Sequence, residues 1–568
     1  MFVDFVDKKN ALHFYSREKS LIKESFTRLL FVISQSVGSY NNSMKNNLPT
    51  LHAPHKTLRT TVFATASIVT ALSIAERGLG FLYRIVLSRL LGAEGLGLYQ
   101  VALSIFSVFL TLGTGGIPIT VSRLISKSKA ENNPLDERRA VSSGLFWSLA
   151  LTLPVALILG LFPQIVSFLF SDERGLAVFR ILLIGLCFSS LYAVFRGSFW
   201  GNKRFLLPSV LEIAEEAVMV IAGVLLLQNI SSIQTGANRA AWAVVISYLF
   251  SFSASALCFL FCGGKLANPK RRLKPLFTAA APITSVRAGG SLVNSAVAVL
   301  LPAMLVRSGL SESDALTLFG VVSGMAMPVL FIPSTVIGSL SLVLVPELSE
   351  DFYRKNYARL YKNLARGLSV SLLVACFLLP FFYALGSDLG LLAFSNALVG
   401  EYIRKGCILL IPMSLTMIST GMLNSMGFEK QTFIFYFIGA AVMLLCVLLF
   451  PPFMGAYAYV VGLGASFSVN AVCNLVLLGK KCPKLFSSTY KNKGVASVYT
   501  PLKGILCVLP LALIGDLLLK IFKRFLGQFL ALLFSGLALA LCTALVWLLL
   551  GILHLPRKKE KLRFMQKK

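Results

Sequence analysis

A chain that repeatedly sets about 20 apolar residues in a row between short basic segments has few ways to fold. As a helix, a run of that length matches the roughly 30 Å hydrocarbon core of a bilayer, where every backbone polar group must be satisfied internally. This sequence contains about fourteen such runs, at 61–83, 96–121, 141–162, 176–195, 209–227, 240–261, 276–306, 315–345, 364–385, 403–423, 433–450, 456–478, 502–519 and 529–553. The expected fold is an all-α, multi-pass membrane protein. Pro282, Pro302, Pro328 and Pro333 fall inside runs seven and eight, which are expected to be kinked or broken. Apolar residues make up 56% of the chain and charged residues 14%, which excludes a soluble fold. The net charge is +30, but the cations sit between apolar runs rather than among exposed aromatics, so they report orientation and exclude a nucleic-acid binder.

Loops after even-numbered runs hold about 23 Lys and Arg, and those after odd-numbered runs about 9. Even-numbered loops are therefore expected in the cytoplasm, with both termini inside and the spans in the cytoplasmic membrane. Lys520, Lys523 and Arg524, between the last two runs, go against this pattern. Shifting the chain by 224 residues aligns Val121-Ser122-Arg123-Leu124 with Val345-Pro346-Glu347-Leu348, Phe170-Ser171 with Phe394-Ser395, Gly197 with Gly421, and Ala217-Val218-Met219 with Ala441-Val442-Met443. A shared offset at helix ends predicts two pseudo-symmetric six-helix lobes of like orientation, with a substrate cleft between them and two added C-terminal helices. The expected divisions are a polar leader at 1–60, a first lobe at 61–262, a basic linker at 263–275, a second lobe at 276–478, a basic loop at 479–501, the last two helices at 502–553 and a basic tail at 554–568. Met44, just ahead of the first run, is an alternative start to Met1.

The sequence also removes several chemistries. The ten cysteines form no CxxC pair and mostly lie within apolar runs, and the four histidines, His13, His52, His55 and His554, lie outside the expected spans. Haem ligation, a zinc site and an intramembrane histidine relay are excluded, so no metal or cofactor is expected. Gly263-Gly264-Lys265 and Gly479-Lys480 lack the spacing and the Ser or Thr of a phosphate-binding loop. No loop is long enough for a catalytic domain. The chain reads as no enzyme, and transport driven by an ion gradient or the membrane potential remains.

Charges inside apolar runs cost about 2.5 to 3.5 kcal/mol on insertion scales and mark function or helix pairing. Run one carries Glu76, Arg77 and Arg84, the two arginines seven apart and so on one face. Run five carries Glu212, Glu215 and Glu216, whose spacings place them on one stripe. Arg196 closes run four, and Arg287 lies five residues after Pro282 in the small-residue stretch Arg287-Ala288-Gly289-Gly290-Ser291. One reading has Arg77, Arg84, Arg287 and Arg196 binding an anionic head group, with Glu76, Glu212, Glu215 and Glu216 as counter-charges or proton carriers. The other makes Glu76, Arg77 and Arg287 a buried ion-pair group, with Arg84, Arg196 and Glu212 reaching the interfaces. Gly113, Gly115 and Gly116 with Pro118, and Gly197 with Gly201, serve close helix packing or hinge motion.

The stretch Arg77-Gly78-Leu79-Gly80-Phe81-Leu82-Tyr83-Arg84, continued by Ser88-Arg89-Leu90-Leu91-Gly92-Ala93-Glu94-Gly95-Leu96-Gly97-Leu98-Tyr99, resembles the first helix and loop of the stage V sporulation protein B and polysaccharide flippase family. That family lies within the multidrug/oligosaccharidyl-lipid/polysaccharide exporter superfamily, with the lipid II flippase and the multidrug and toxin extrusion antiporters. Phe195-Arg196-Gly197-Ser198-Phe199-Trp200-Gly201, Ala281-Pro282-Ile283-Thr284-Ser285-Val286-Arg287 and Leu344-Val345-Pro346-Glu347-Leu348-Ser349-Glu350 resemble it as well. The resemblance implies a V-shaped two-lobe fold that opens to either side and moves an undecaprenyl-diphosphate-linked sugar, in the sporulation branch a peptidoglycan precursor for spore cortex. It matches Arg77 to a first-helix arginine lining a cationic cavity in the lipid II flippase, and Arg287 to the seventh-helix arginine of the sporulation branch. Two departures stand out: the uncharged Val321-Val322-Ser323-Gly324-Met325 where the lipid II flippase has an eighth-helix arginine, and Met219 where a fifth-helix arginine is common.

The expected function is thus a lipid-linked oligosaccharide flippase, its partners being the lipid-linked sugar, anionic membrane lipids, a coupling H+ or Na+, and cell-wall synthesis proteins. Cation-coupled drug export on the same fold and a non-transporting scaffold for wall synthesis are the alternatives.

Overall fold

The structure is a computed structural model describing residues 55–228, 230–485 and 500–550. Residues 1–54 of the leader, Met44 among them, most of the basic loop after Lys481 and the tail lie outside the described residues, and positions 55–60 form the start of the first helix. Among the described residues every regular element is a helix. In chain order the main helices are α1 (His55–Thr114), α2 (Ile117–Ala130), α3 (Pro134–Leu161), α4 (Arg174–Gly201), α5 (Leu206–Leu226), α6 (Ile233–Phe261), α7 (Lys270–Arg307) and α8 (Glu312–Phe319). They continue as α9 (Ile332–Tyr353), α10 (Tyr357–Phe394), α11 (Ala397–Gly406), α12 (Leu410–Ser425), α13 (Glu429–Leu449), α14 (Tyr457–Lys481), α15 (Thr500–Phe525) and α16 (Gln528–Leu549).

Local sequence explains the boundaries. Asn133, Ser232, Ser311, Asn356 and Asn396 cap α3, α6, α8, α10 and α11, each side chain accepting from a backbone N–H of the first turn. Runs one and two meet without a loop: α1 continues for 60 residues and turns at Gly92, whose φ of 69° is open to glycine at little cost. The prolines act differently in the two interrupted runs. Pro282 and Pro302 lie inside the single 38-residue α7, whereas run eight divides into α8, a π-helical turn at Gly320–Ala326, a short helix at Met327–Leu330 and α9.

Twelve helices among the described residues are long and apolar enough to cross a membrane. The difference from fourteen has two sources. Runs one and two fall in one continuous stretch, Ile68–Ala130, and run five, now α5, carries three glutamates. Each other run corresponds to one of the twelve.

The helix pairings repeat. In the first half α2 packs on α4, α3 on α4, α4 on α6 and α5 on α6; in the second α9 packs on α12, α10 on α12, α12 on α14 and α13 on α14. Gly197 abuts the backbone of Pro118, and at the equivalent place in the second half Gly421 abuts Ser341. One close contact between halves is made where α1 bends. There Gly97 meets the backbone of Leu316 and Gly320, and Gly320 meets that of Ala93. Moved by 224 residues, Gly97 falls on Val321 and Ala93 on Thr317, so each half offers nearly the same position to the other. Close by, Arg89 donates from Nε to Ala393 O at 2.9 Å and from Nη2 to Leu392 O at 2.5 Å, at the C-terminus of α10, and Phe81 meets Phe394 edge to face. Arg89 thus supplies positive charge to the last carbonyls of a helix in the other half. The long α7 packs along α1, α2 and α3 and touches α13.

Helices α15 and α16 pack together and onto α10. Lys523 donates to Asp388 at 2.6 Å, Lys520 pairs with Asp516 at 2.9 Å, and Arg404 of α11 lies 3.7 Å from Asp516 and over the ring of Tyr383. Of the cations that run against the loop pattern, Lys520 is paired within α15 and Lys523 docks α15 onto α10. Asp388 is 4% exposed and Lys523 42%, so the carboxylate is the member that suffers when the pair is broken. Lys523→Met is expected to lower stability by about 2 kcal/mol, and adding Asp388→Leu to restore most of it. Thermal unfolding in detergent measures both; an unchanged midpoint in the single variant would show that the pair contributes nothing.

Candidate functional site

The intramembrane charges of the first half converge where α1, α4, α5 and α6 meet. The three glutamates of α5 divide among three neighbours. Glu212 Oε1 receives Arg196 Nη1 of α4 at 3.1 Å, Glu215 interacts with Ser251 of α6, and Glu216 lies against Gly80 of α1, in the space a side chain there would need. Arg84 faces Glu216 and Tyr99, and Glu76 lies within electrostatic reach of Glu212, Arg77 and Arg196. Close packing of α1 on α5 makes this possible, since Tyr83 sits directly against Gly223.

Aromatic side chains complete the cluster. The Arg196 guanidinium lies 5.1 Å from the Trp200 ring and 5.8 Å from that of Tyr192, a cation–π sandwich within one helix. Tyr83, Tyr99, Tyr192 and Tyr248 interact with the same glutamates. The hydroxyls of Tyr83 and Tyr192 and Nε of Arg196 are buried without a hydrogen-bond partner, so the cluster keeps unused hydrogen-bonding capacity. The tyrosines were not singled out from the sequence. Their signal was helical spacing: Tyr192 precedes Arg196 by four, and Tyr83 is adjacent to Arg84.

Arg77 and Arg287 stand apart. Both are exposed, and among the described residues neither takes part in an ion pair. A buried Glu76–Arg77–Arg287 group is therefore not what the structure forms. On α7, Thr284 accepts from Gly116 N at 3.0 Å and Ser291 meets Thr111 of α1 at 2.7 Å, while Gly290 lies beside Tyr436 of α13. At 100° per residue Arg287 falls between these directions, on the face of α7 between α1 and α13. Arg77 lies fifteen residues before the bend at Gly92, about 22 Å along α1. Both arginines are on the same side of the contact between halves.

The small residues are placed at helix crossings. Gly113 lies against Ser190 and Thr152, Gly115 and Gly116 against Thr284 and Ala280 of α7, Gly197 against Pro118, and Gly201 against Ile125. These contacts support the packing role. Among the described residues no group of His, Cys, Asp and Glu is arranged to hold a metal ion.

The profile of the family described as polysaccharide biosynthesis protein matches residues 62–352. Stage V sporulation protein B of Bacillus subtilis (strain 168) is 25% identical over 324 residues, 54% of this chain and 61% of that protein. Lipid II flippase MurJ of the same organism is 23% identical over 323 residues, 52% of this chain and 59% of that protein. The chain thus spans about three fifths of the length of these relatives. Among solved structures, the lipid II flippase MurJ in an inward closed conformation superposes with a TM-score of 0.64 at 15% identity, covering 84% of this chain and 98% of that one. The inward-facing conformation of a multidrug resistance MATE family transporter of the MOP superfamily gives 0.61 at 13%, covering 73% and 96%. The superpositions establish the fold, an all-helical multi-pass membrane fold shared with these structures.

Gly197 gives the sharpest test of the packing. Gly197→Val is expected to destabilise the protein by about 3 kcal/mol, because the atoms it meets are the backbone of Pro118 and cannot swing aside. Gly78→Val, where no atom lies within 4 Å, is the matched control. Folded yield by size-exclusion chromatography and thermal unfolding compare them; equal behaviour would remove Gly197 from the packing argument.

Proposed function

The chain belongs to the polysaccharide biosynthesis protein family, and from that premise we propose that it is a flippase carrying an undecaprenyl-diphosphate-linked oligosaccharide across the cytoplasmic membrane by alternating access. The observation that carries this reading is the pair Arg77 and Arg287, both exposed and, among the described residues, without an ion-pair partner. A diphosphate offers several oxygens to guanidinium groups, each able to accept two parallel hydrogen bonds, and an unpaired arginine in an apolar surrounding gains most from such a ligand. Arg84 and Arg196, already facing Glu216 and Glu212, set the charge of the cleft wall. The similarity to stage V sporulation protein B favours a peptidoglycan precursor for spore cortex as cargo.

With both termini in the cytoplasm, as the loop charges indicate, the contact at Gly92–Gly97 is the outer end and the cleft opens inward. Substrate enters between the lobes, the arginines hold its head group, and separation of α1 from α8 and α10 opens the other side. Glu76, Glu212, Glu215 and Glu216 balance the arginines or take up a coupling cation. That cluster, with the MATE-like fold, also supports a second reading, cation-coupled export of a small molecule.

Purified protein in vesicles containing lipid II, or another undecaprenyl-diphosphate sugar, tests the proposal. Arg77→Ala and Arg287→Ala are each expected to insert and fold normally yet lose on the order of tenfold or more in flipping rate, the loss of a charge-assisted contact. Full activity in both would overturn the cleft model, and proton- or sodium-driven dye efflux without flipping would favour the second reading. Arg89→Ala removes the bond to the end of α10 and is expected to raise the outward-open population, read as increased labelling of a cysteine placed at position 77 from the outer side. Unchanged labelling would show that Arg89 does not hold the halves together.

A further inference from the structure

The flank of α7 turned away from the cleft carries a second feature. A groove of about 180 Å³ runs between α3 and α7, walled by Leu112, Trp147, Leu151, Phe277, Ala281 and Ser285. The rings of Trp147 and Phe277 lie 4.5 Å apart, and Trp147 Nε1 donates to Leu273 O at 3.0 Å, so one end of the groove is fixed by both stacking and a hydrogen bond. Around the α7 axis, Gly290 faces α13, Arg287 comes next, then Ser291 and Thr284 face α1 and α2, and Phe277 and Ala281 follow beyond them. The α1–α7 contact therefore separates the groove from the cleft.

The stripe that lines the groove continues toward the start of α7. Lys270, Lys274, Phe277, Ala281 and Ser285 are spaced by three or four residues and share one face. Both lysines are exposed, and among the described residues neither has an ion-pair partner, whereas Arg272 between them is bound to Asp136 at 2.6 Å. The walls extend from Leu276 to Ser285, nine helical rises or about 14 Å, which is half of the roughly 30 Å hydrocarbon core. The groove is as deep as one leaflet.

We propose that this groove binds one acyl chain of an anionic glycerophospholipid, whose phosphate rests on Lys270 and Lys274. A chain spanning one leaflet fits the depth, and the separation from Arg287 excludes the groove as a path for the transported head group. The lipid is a resident that holds α7 against α3 while the lobes move, whatever the cargo is.

The test uses full-length protein with Trp147 as the sole tryptophan (Trp200→Phe, Trp242→Phe, Trp547→Phe), in nanodiscs of phosphatidylcholine. Phosphatidylglycerol with dibrominated chains is expected to quench Trp147 at about fivefold lower mole fraction than dibrominated phosphatidylcholine, the effect of one lysine near an anionic phosphate, and more if both lysines act fully. Lys270→Gln with Lys274→Gln should abolish the difference, Ala281→Phe should reduce quenching by both lipids, and Arg287→Ala should change neither. Equal quenching at the outset, or a preference that survives the double lysine variant, overturns the proposal. Displacement of the brominated phosphatidylglycerol by an equimolar amount of undecaprenyl diphosphate also overturns it, by assigning the groove to the carrier chain. Should the single-tryptophan protein fail to fold, native mass spectrometry of the unaltered chain and the lysine variant gives the same decision. Loss of one retained phosphatidylglycerol supports the proposal and equal retention refutes it.

Discussion

Everything in this fold hangs on two helices being able to touch backbone to backbone. Inside a bilayer, lipid is as apolar as leucine, so helices gain little by hiding side chains from it and are held instead by close approach and polar bonds. Gly97 and Gly320 supply that approach at the place where each half presents the same position to the other. A side chain at either glycine would meet carbonyl and amide atoms rather than a flexible neighbour. The packing of α7 along α1, α2 and α3 adds to this contact, while Arg77 and Arg287 remain without ion-pair partners among the described residues.

The polar groups fall into two kinds for the same reason. Several of those in the first half are matched in place: Arg196 with Glu212, Arg84 with Glu216, and Glu215 with Ser251. Arg77 and Arg287 are exposed and, among the described residues, without an ion-pair partner. A matched charge holds helices together, and an unmatched one keeps its hydrogen-bonding capacity free; α1 carries one of each kind, Arg84 and Arg77.

Much of this was legible in the sequence because the bilayer imposes its own period. Apolar runs of span length correspond to the twelve candidate spans nearly one for one, and Gly197 and Gly421, related by the offset of 224, both sit at close helix contacts. Periodicity cannot say which of three neighbouring helices a glutamate meets, which is why the stripe on α5 was read as one unit and proved to be three contacts. Nor can a hydropathy profile distinguish a proline that a helix absorbs, as α7 absorbs Pro282, from those that break run eight, since the outcome is set by what packs alongside. Arg89 was overlooked because its partners are backbone carbonyls more than 300 positions away, which leave no mark on the local sequence.

The pairing of Lys523 with Asp388 bears on how the protein is made. A hairpin of α15 and α16 entering the membrane alone would have to place Lys520 and Lys523 on the side that the remaining loops leave poor in positive charge, an arrangement the insertion machinery disfavours. With α10 already in position, Asp388 receives one of those charges as the hairpin arrives. Synthesis from the N-terminus delivers the helices in that order, so the last two complete a bundle whose acceptor site is already built.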